Sequence, residues 1–100
     1  MKKKRKFRKY QDVLIESLKN PKEAAAYLNA SLDDGSPEAF LVALRNVAEA
    51  YGGMTKLSKK AKLNRISLYR MFSERGNPEL YSLNSILNIL GLQLCVGVAK

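Results

Sequence analysis

Helix-breaking residues recur at short intervals along this chain, and the apolar residues between them fall at helical spacing. Asn20-Pro21, Gly35-Ser36-Pro37, Gly52-Gly53, Gly76-Asn77-Pro78 and Gly91 divide the sequence. Such punctuation requires short helices that bury their apolar stripes against one another. Tyr10, Leu14 and Leu18, flanked by Val13 and Ile15, form the first stripe. It stops at Asn20, because the residue before a proline is pushed out of the helical region. Pro21 suits the first position of a second helix, which carries Ala24, Ala25, Leu28 and Leu32 and ends at Asp33-Asp34-Gly35. Ser36 is a good N-cap for a third. Pro37 fits its first position, and Glu38 favours the positive helix end. Phe40, Leu41, Leu44, Val47, Ala48 and Tyr51 continue that helix to Gly52-Gly53, where positive φ is easiest.

Two shorter helices follow, with Thr55 and Asn64 as their expected caps. Leu57 and Ala61 mark the first; Leu68, Met71 and Phe72 mark the second. Asn77-Pro78 is expected to restart a helix bearing Leu80, Leu83, Ile86, Leu87 and Leu90, which Gly91 ends. Beyond it, residues 92–98 alternate partially and contain β-formers, which predicts a short C-terminal strand. The fold class is therefore all-α: a bundle of about six helices with one short strand. Residues 10–100 form a single domain behind a mobile basic tail at 1–9.

A chain of 100 residues, 46% of them hydrophobic, can bury one core. It contains no apolar run of the roughly 18 residues needed to span a membrane. The charged N-terminus lacks the apolar segment of a secretory signal. The single cysteine, Cys95, permits no internal disulfide and reads as a small buried hydrophobe. A cytoplasmic protein is the expectation.

The net charge of +9 is unevenly spread. Residues 1–9 hold seven cations and no anion. Residues 10–53 hold Lys19, Lys22 and Arg45 against seven carboxylates: Asp12, Glu16, Glu23, Asp33, Asp34, Glu38 and Glu49. Residues 54–76 hold seven cations against Glu74 alone. Basic segments attract a polyanion, either nucleic acid or an anionic membrane, whereas the acidic segment suits a different surface.

Residues 53–76, GMTKLSKKAKLNRISLYRMFSERG, meet the requirements of a helix-turn-helix at 54–72. Leu57, Ala61, Leu63, Leu68 and Phe72 supply its inner packing. Ser58 or Ala61 is small enough for the helix crossing, and Asn64 caps the second helix. The outer face of that helix would carry Arg65, Ile66, Ser67, Tyr69 and Arg70 to base edges in a major groove. The planar fork of an arginine matches guanine, and Ile66 could pack on a thymine methyl. Thr55, Lys56, Lys59 and Lys60 would neutralise phosphates and fix register. A lysine run taken alone is more often a merely solvated face. The coincidence of cations, caps and apolar anchors in one window favours nucleic acid.

NPKEAAAYLNASLDDGSPEAFLVALRNVAEAYGGMTKLSKKAKLNRISLYRMFSERGNPEL and the later ILGLQL resemble the HigA-like addiction module antidotes. The DNA-binding part of those antitoxins is of the lambda-repressor-like helix-turn-helix class. The most specific stretches are LNRISLYRMFSERGNP and AAAYLNASLDDG. The resemblance implies a homodimer that represses its own operon at a palindromic operator. It also implies binding and neutralisation of a small basic toxin of the RelE, ParE or HigB type, with no cofactor and no membrane partner. Two departures stand out. The family usually has glycine where this chain has Lys62, so Lys62 must take positive φ or the turn must bend differently. The basic run before Tyr10 is a second departure, and a phosphate-binding arm, a solubilising tail or a segment without function fits it.

The segment at 92–98, through Leu92, Leu94 and Val96, would pair with its twin across a dimer axis or with a toxin sheet edge. The acidic helices would face the toxin, or merely stay wet. Two other readings remain from the residues: a stand-alone phage-type repressor, and a basic RNA-associated protein. The second is disfavoured because Tyr69 is the one plausible exposed aromatic in the basic window. Catalysis is disfavoured by the absence of histidine, the single cysteine, and a Gly52-Gly53 pair without the lysine and spacing of a phosphate loop.

Overall fold

The computed structural model describes residues 9–73 and 75–99. Among these, six α-helices follow one another: α1 (Tyr10–Ser17), α2 (Pro21–Asp34), α3 (Pro37–Tyr51), α4 (Met54–Ala61), α5 (Arg65–Met71) and α6 (Leu80–Ile89). Side chains cap three of them. Asn20 Oδ1 accepts from the Lys22 N–H at 2.9 Å, and Ser36 Oγ from the Ala39 N–H at 3.4 Å. Asn64 Oδ1 accepts from both Ile66 and Ser67, at 2.7 and 3.3 Å. Each cap satisfies N–H groups that a helix start otherwise leaves open.

Leu44, Leu57, Leu68, Phe72 and Ile86 are the largest fully buried side chains. They join Leu18, Ala24, Leu28, Val47, Met54 and Leu87 in one core. Helix α3 packs against α1, α2 and α4, while α4 also packs against α5 and α6. Burial of Leu57 and Leu68 therefore anchors α4 and α5 directly in the core. A polar chain ties the first three helices together on their outer side. Gln11 Nε2 donates to Asn46 Oδ1 at 2.8 Å, and Asn46 Nδ2 donates to the Tyr27 hydroxyl at 2.8 Å.

Four expectations need correction. Thr55 is not an N-cap: Gly53 precedes the helix, which starts at the buried Met54. The Gly53 φ of 97° turns the chain early enough to leave Thr55 inside the first turn, where its carbonyl accepts from the Ser58 hydroxyl at 2.9 Å. Pro78 does not open α6, which begins two residues later at Leu80 with Glu79 before it. The strand over 92–98 is not formed; among the described residues there is no strand at all. A strand needs a neighbour to complete its hydrogen bonds, and the lone chain offers none. The Leu92 N–H instead donates to the Leu87 carbonyl at 2.8 Å, closing the end of α6. Cys95 is exposed rather than buried. The tail at 1–9 lies, apart from Lys9, outside the described residues.

Of the two courses open to the turn between α4 and α5, it takes the strained one. Lys62 has φ 58° and ψ 38°, in the left-handed region. A Cβ there costs about 1 kcal/mol relative to glycine. Lys62→Gly is therefore expected to raise stability by about that amount, and Tm by about 4–8 °C for a domain of this size. A thermal melt checks it; a lowered Tm would show that the turn does not carry this strain.

Candidate nucleic-acid interface

Helix α4, the connection at 62–64 and α5 form a two-helix unit with distinct inner and outer faces. On the inner face, Leu57, Ser58, Leu68 and Phe72 are buried, and Ala61, Leu63 and Met71 are half-buried. All five of the expected packing residues are thus at least partly enclosed. On the outer face of α5, Arg65, Ile66, Ser67, Tyr69 and Arg70 are exposed together. Ile66 is 68% exposed, although Leu68, two residues on, is wholly buried. Seven residues of helix suffice to present both faces because 3.6 residues complete a turn. Thr55, Lys56, Lys59 and Lys60 are likewise exposed along α4.

The cations do not all stand free. The Lys56 ammonium lies 4.6 Å from the centre of the Tyr51 ring. Its stem runs across Gly52, where an added Cβ would fall 2.7 Å from the Lys56 Cδ. Glycine at 52 therefore makes room for Lys56, and Lys56 is drawn back towards the end of α3. A second such pair was not foreseen in the sequence: the Arg45 guanidinium carbon lies 5.5 Å from the Tyr69 ring centre. Arg45 belongs to α3, and by position it counts among the acidic segment. No sequence signal marks its approach to α5, because helix packing alone brings the two together.

The carboxylates of Asp12, Glu16, Glu23, Asp33, Glu38 and Glu49 are exposed on α1–α3. Glu38 is held below the usual carboxylate range, first by the Ser36 hydroxyl and then by its own backbone N–H. Lys19 and Glu16 pair at 3.3 Å at the surface, an arrangement of small energetic weight. Among the described residues no group of three or more His, Cys, Asp or Glu could hold a metal ion. Among the described residues no helix is long and apolar enough to cross a membrane.

Away from α4 and α5, a groove of about 560 Å³ runs between α2 and the C-terminal segment. Leu28, Leu32, Phe40, Leu92 and Leu94 contribute its apolar lining, and Cys95 stands at its edge. Beyond it, Val96 and Val98 are almost completely exposed. The structure thus brings Leu92 and Leu94 to one groove and leaves Val96 outside it.

Comparison with known proteins places these features in a family context. A family model described as "Probable addiction module antidote protein" matches residues 9–98. A Haemophilus influenzae protein, described there as uncharacterized, is 32% identical over 83 residues, which span 83% of this chain and 84% of the relative. No solved structure matches the chain.

Proposed function

The chain belongs to the family of probable addiction module antidote proteins, and from that premise we propose that it is an antitoxin that also represses its own operon by binding operator DNA. The observation that carries the DNA reading is the two-faced α4–α5 unit. Its inner side is buried in the core, and its outer side exposes Arg65, Ile66, Ser67, Tyr69 and Arg70 together. This is the arrangement a helix-turn-helix of the lambda-repressor-like class needs, with α5 as the recognition helix. Burial of one side fixes the helix; exposure of the other leaves its side chains free to meet base edges. Lys59 and Lys60, with Thr55 and Lys56 beside them, would meet phosphates.

The second half of the proposal concerns protein partners. The exposed carboxylates of α1–α3 would receive a small basic toxin of the RelE, ParE or HigB type. A homodimer would read two symmetric half-sites about 34 Å apart. Its proposed contact is strand pairing through Leu92, Leu94 and Val96, supported by the unpaired, largely exposed course of residues 93–99. Such pairing would satisfy the backbone groups that a lone chain leaves to water. The reading is non-enzymatic and needs no cofactor.

The deciding experiment is a competition titration of the full chain. A labelled duplex carrying the region upstream of its own gene is challenged with unlabelled duplex and with structured RNA. Displacement by the same duplex at far lower concentration than by RNA is the expected result. Equal or better competition by RNA would sink the operator model.

A further inference from the structure

We propose that Arg45, on α3 and outside the two-helix unit, is a phosphate-contacting residue of the DNA interface, held in position by the Tyr69 ring. This rests on the duplex-DNA reading above and adds to it a residue that the basic window 54–76 does not contain.

Arg45 has a carboxylate available on its own helix. Glu49 is one turn further along α3, at the spacing that allows an ion pair. Yet among the described residues the one ion pair is Lys19–Glu16, and the Arg45 guanidinium lies over Tyr69. The interaction crosses from α3 to α5, beyond the helix pairs that pack most closely. A ring face attracts a cation through its negative π cloud, but it accepts none of the guanidinium's in-plane hydrogen bonds. Among the described residues no oxygen accepts from Arg45 either. Its five N–H donors are therefore unclaimed by described groups, while the ring draws it towards α5.

Position and chemistry together select the ligand. Tyr69 lies one turn after Arg65 on the exposed face of α5, so Arg45 adds a cation beside the side chains expected to enter the groove. A planar fork with open donors next to such a helix suits a phosphate, the anion it can meet bidentately. A restrained guanidinium also loses less freedom on binding than a free one. Tyr69 then serves as a positioning residue through its ring. This role is separate from the base contact expected of it.

The test measures duplex affinity of the full chain across a salt series for wild type, R45Q, Y69A, Y69F, the double variant R45Q/Y69A, and K59Q/K60Q as a control. Loss of one phosphate contact reduces the slope of log affinity against log salt by about 0.9. R45Q and Y69A are expected to show that reduction, and R45Q is expected to leave base preference unchanged. The double variant should lose no more than R45Q alone. Y69F keeps the ring and should keep the wild-type slope.

A wild-type slope in R45Q, with a reduced slope in the lysine control, would overturn the role of Arg45 and leave the DNA reading standing. A lowered Tm in R45Q without a change in slope would likewise reduce the pair to internal packing and overturn the proposal. A wild-type chain that binds no duplex would overturn both readings.

Discussion

Replacing Arg65 and Arg70 together by alanine should abolish most operator affinity while leaving the melting curve in place. A bidentate arginine–guanine contact is worth about 1–3 kcal/mol, so the pair represents roughly 30-fold to 10⁴-fold in affinity if the two act independently. Both side chains are exposed, and neither contributes to the core. A loss of binding without a loss of Tm would therefore locate the recognition face. Each single variant should also relax base preference at one operator position, unlike the uniform weakening that follows loss of a phosphate contact. Fluorescence anisotropy on the operator and on single-base variants reads both effects. Unchanged affinity and specificity would mean that another face meets the DNA.

The opposite signature is expected of Leu68→Ala. This side chain is wholly buried between the two-helix unit and the remaining core. Large-to-small changes at such sites cost about 2–5 kcal/mol, against a total of about 5–15 kcal/mol for a typical domain. The Tm should fall by on the order of 10 °C or more. Ile66→Ala, two residues away and mostly exposed, should leave Tm nearly unchanged. Thermal unfolding of the two variants side by side checks the facing of α5 without any DNA. A small Tm change in Leu68→Ala would mean that α5 is not seated as described.

Much of this arrangement is legible in the sequence because it depends on local chemistry. Proline after Asn20 and Ser36, the Asn64 cap and the helical spacing of Leu44, Leu57 and Leu68 act over one or two turns. The positive φ of Lys62 is one of the two courses open to a lysine at that turn position. The division of α5 into a buried and an exposed face followed from its period. Features that depend on distant partners were not legible. The Thr55 hydroxyl suits a cap, but the burial of Met54 and the turn at Gly53 place the helix start earlier. The alternation in residues 92–98 is a request for a neighbouring strand, which one chain does not supply. Cys95 looked like core by residue type, yet its segment passes along an open groove. Arg45 was counted with the acidic helices; only tertiary packing carries it to Tyr69.

Helix α4 is bounded at both ends by left-handed corners: Gly52 and Gly53 before it, Lys62 after it. Eight residues of α-helix between them set a strut about 12 Å long. Each corner fixes a direction, and the strut fixes the angle between them. One residue inserted into α4 would turn the second corner by about 100° around the helix axis. That would swing α5 away from its seat in the core. Length changes during divergence must therefore accumulate elsewhere, as in the irregular connection before α6 or beyond its end. The spacing from Gly53 to Asn64 should vary less than the identity of the residues between them.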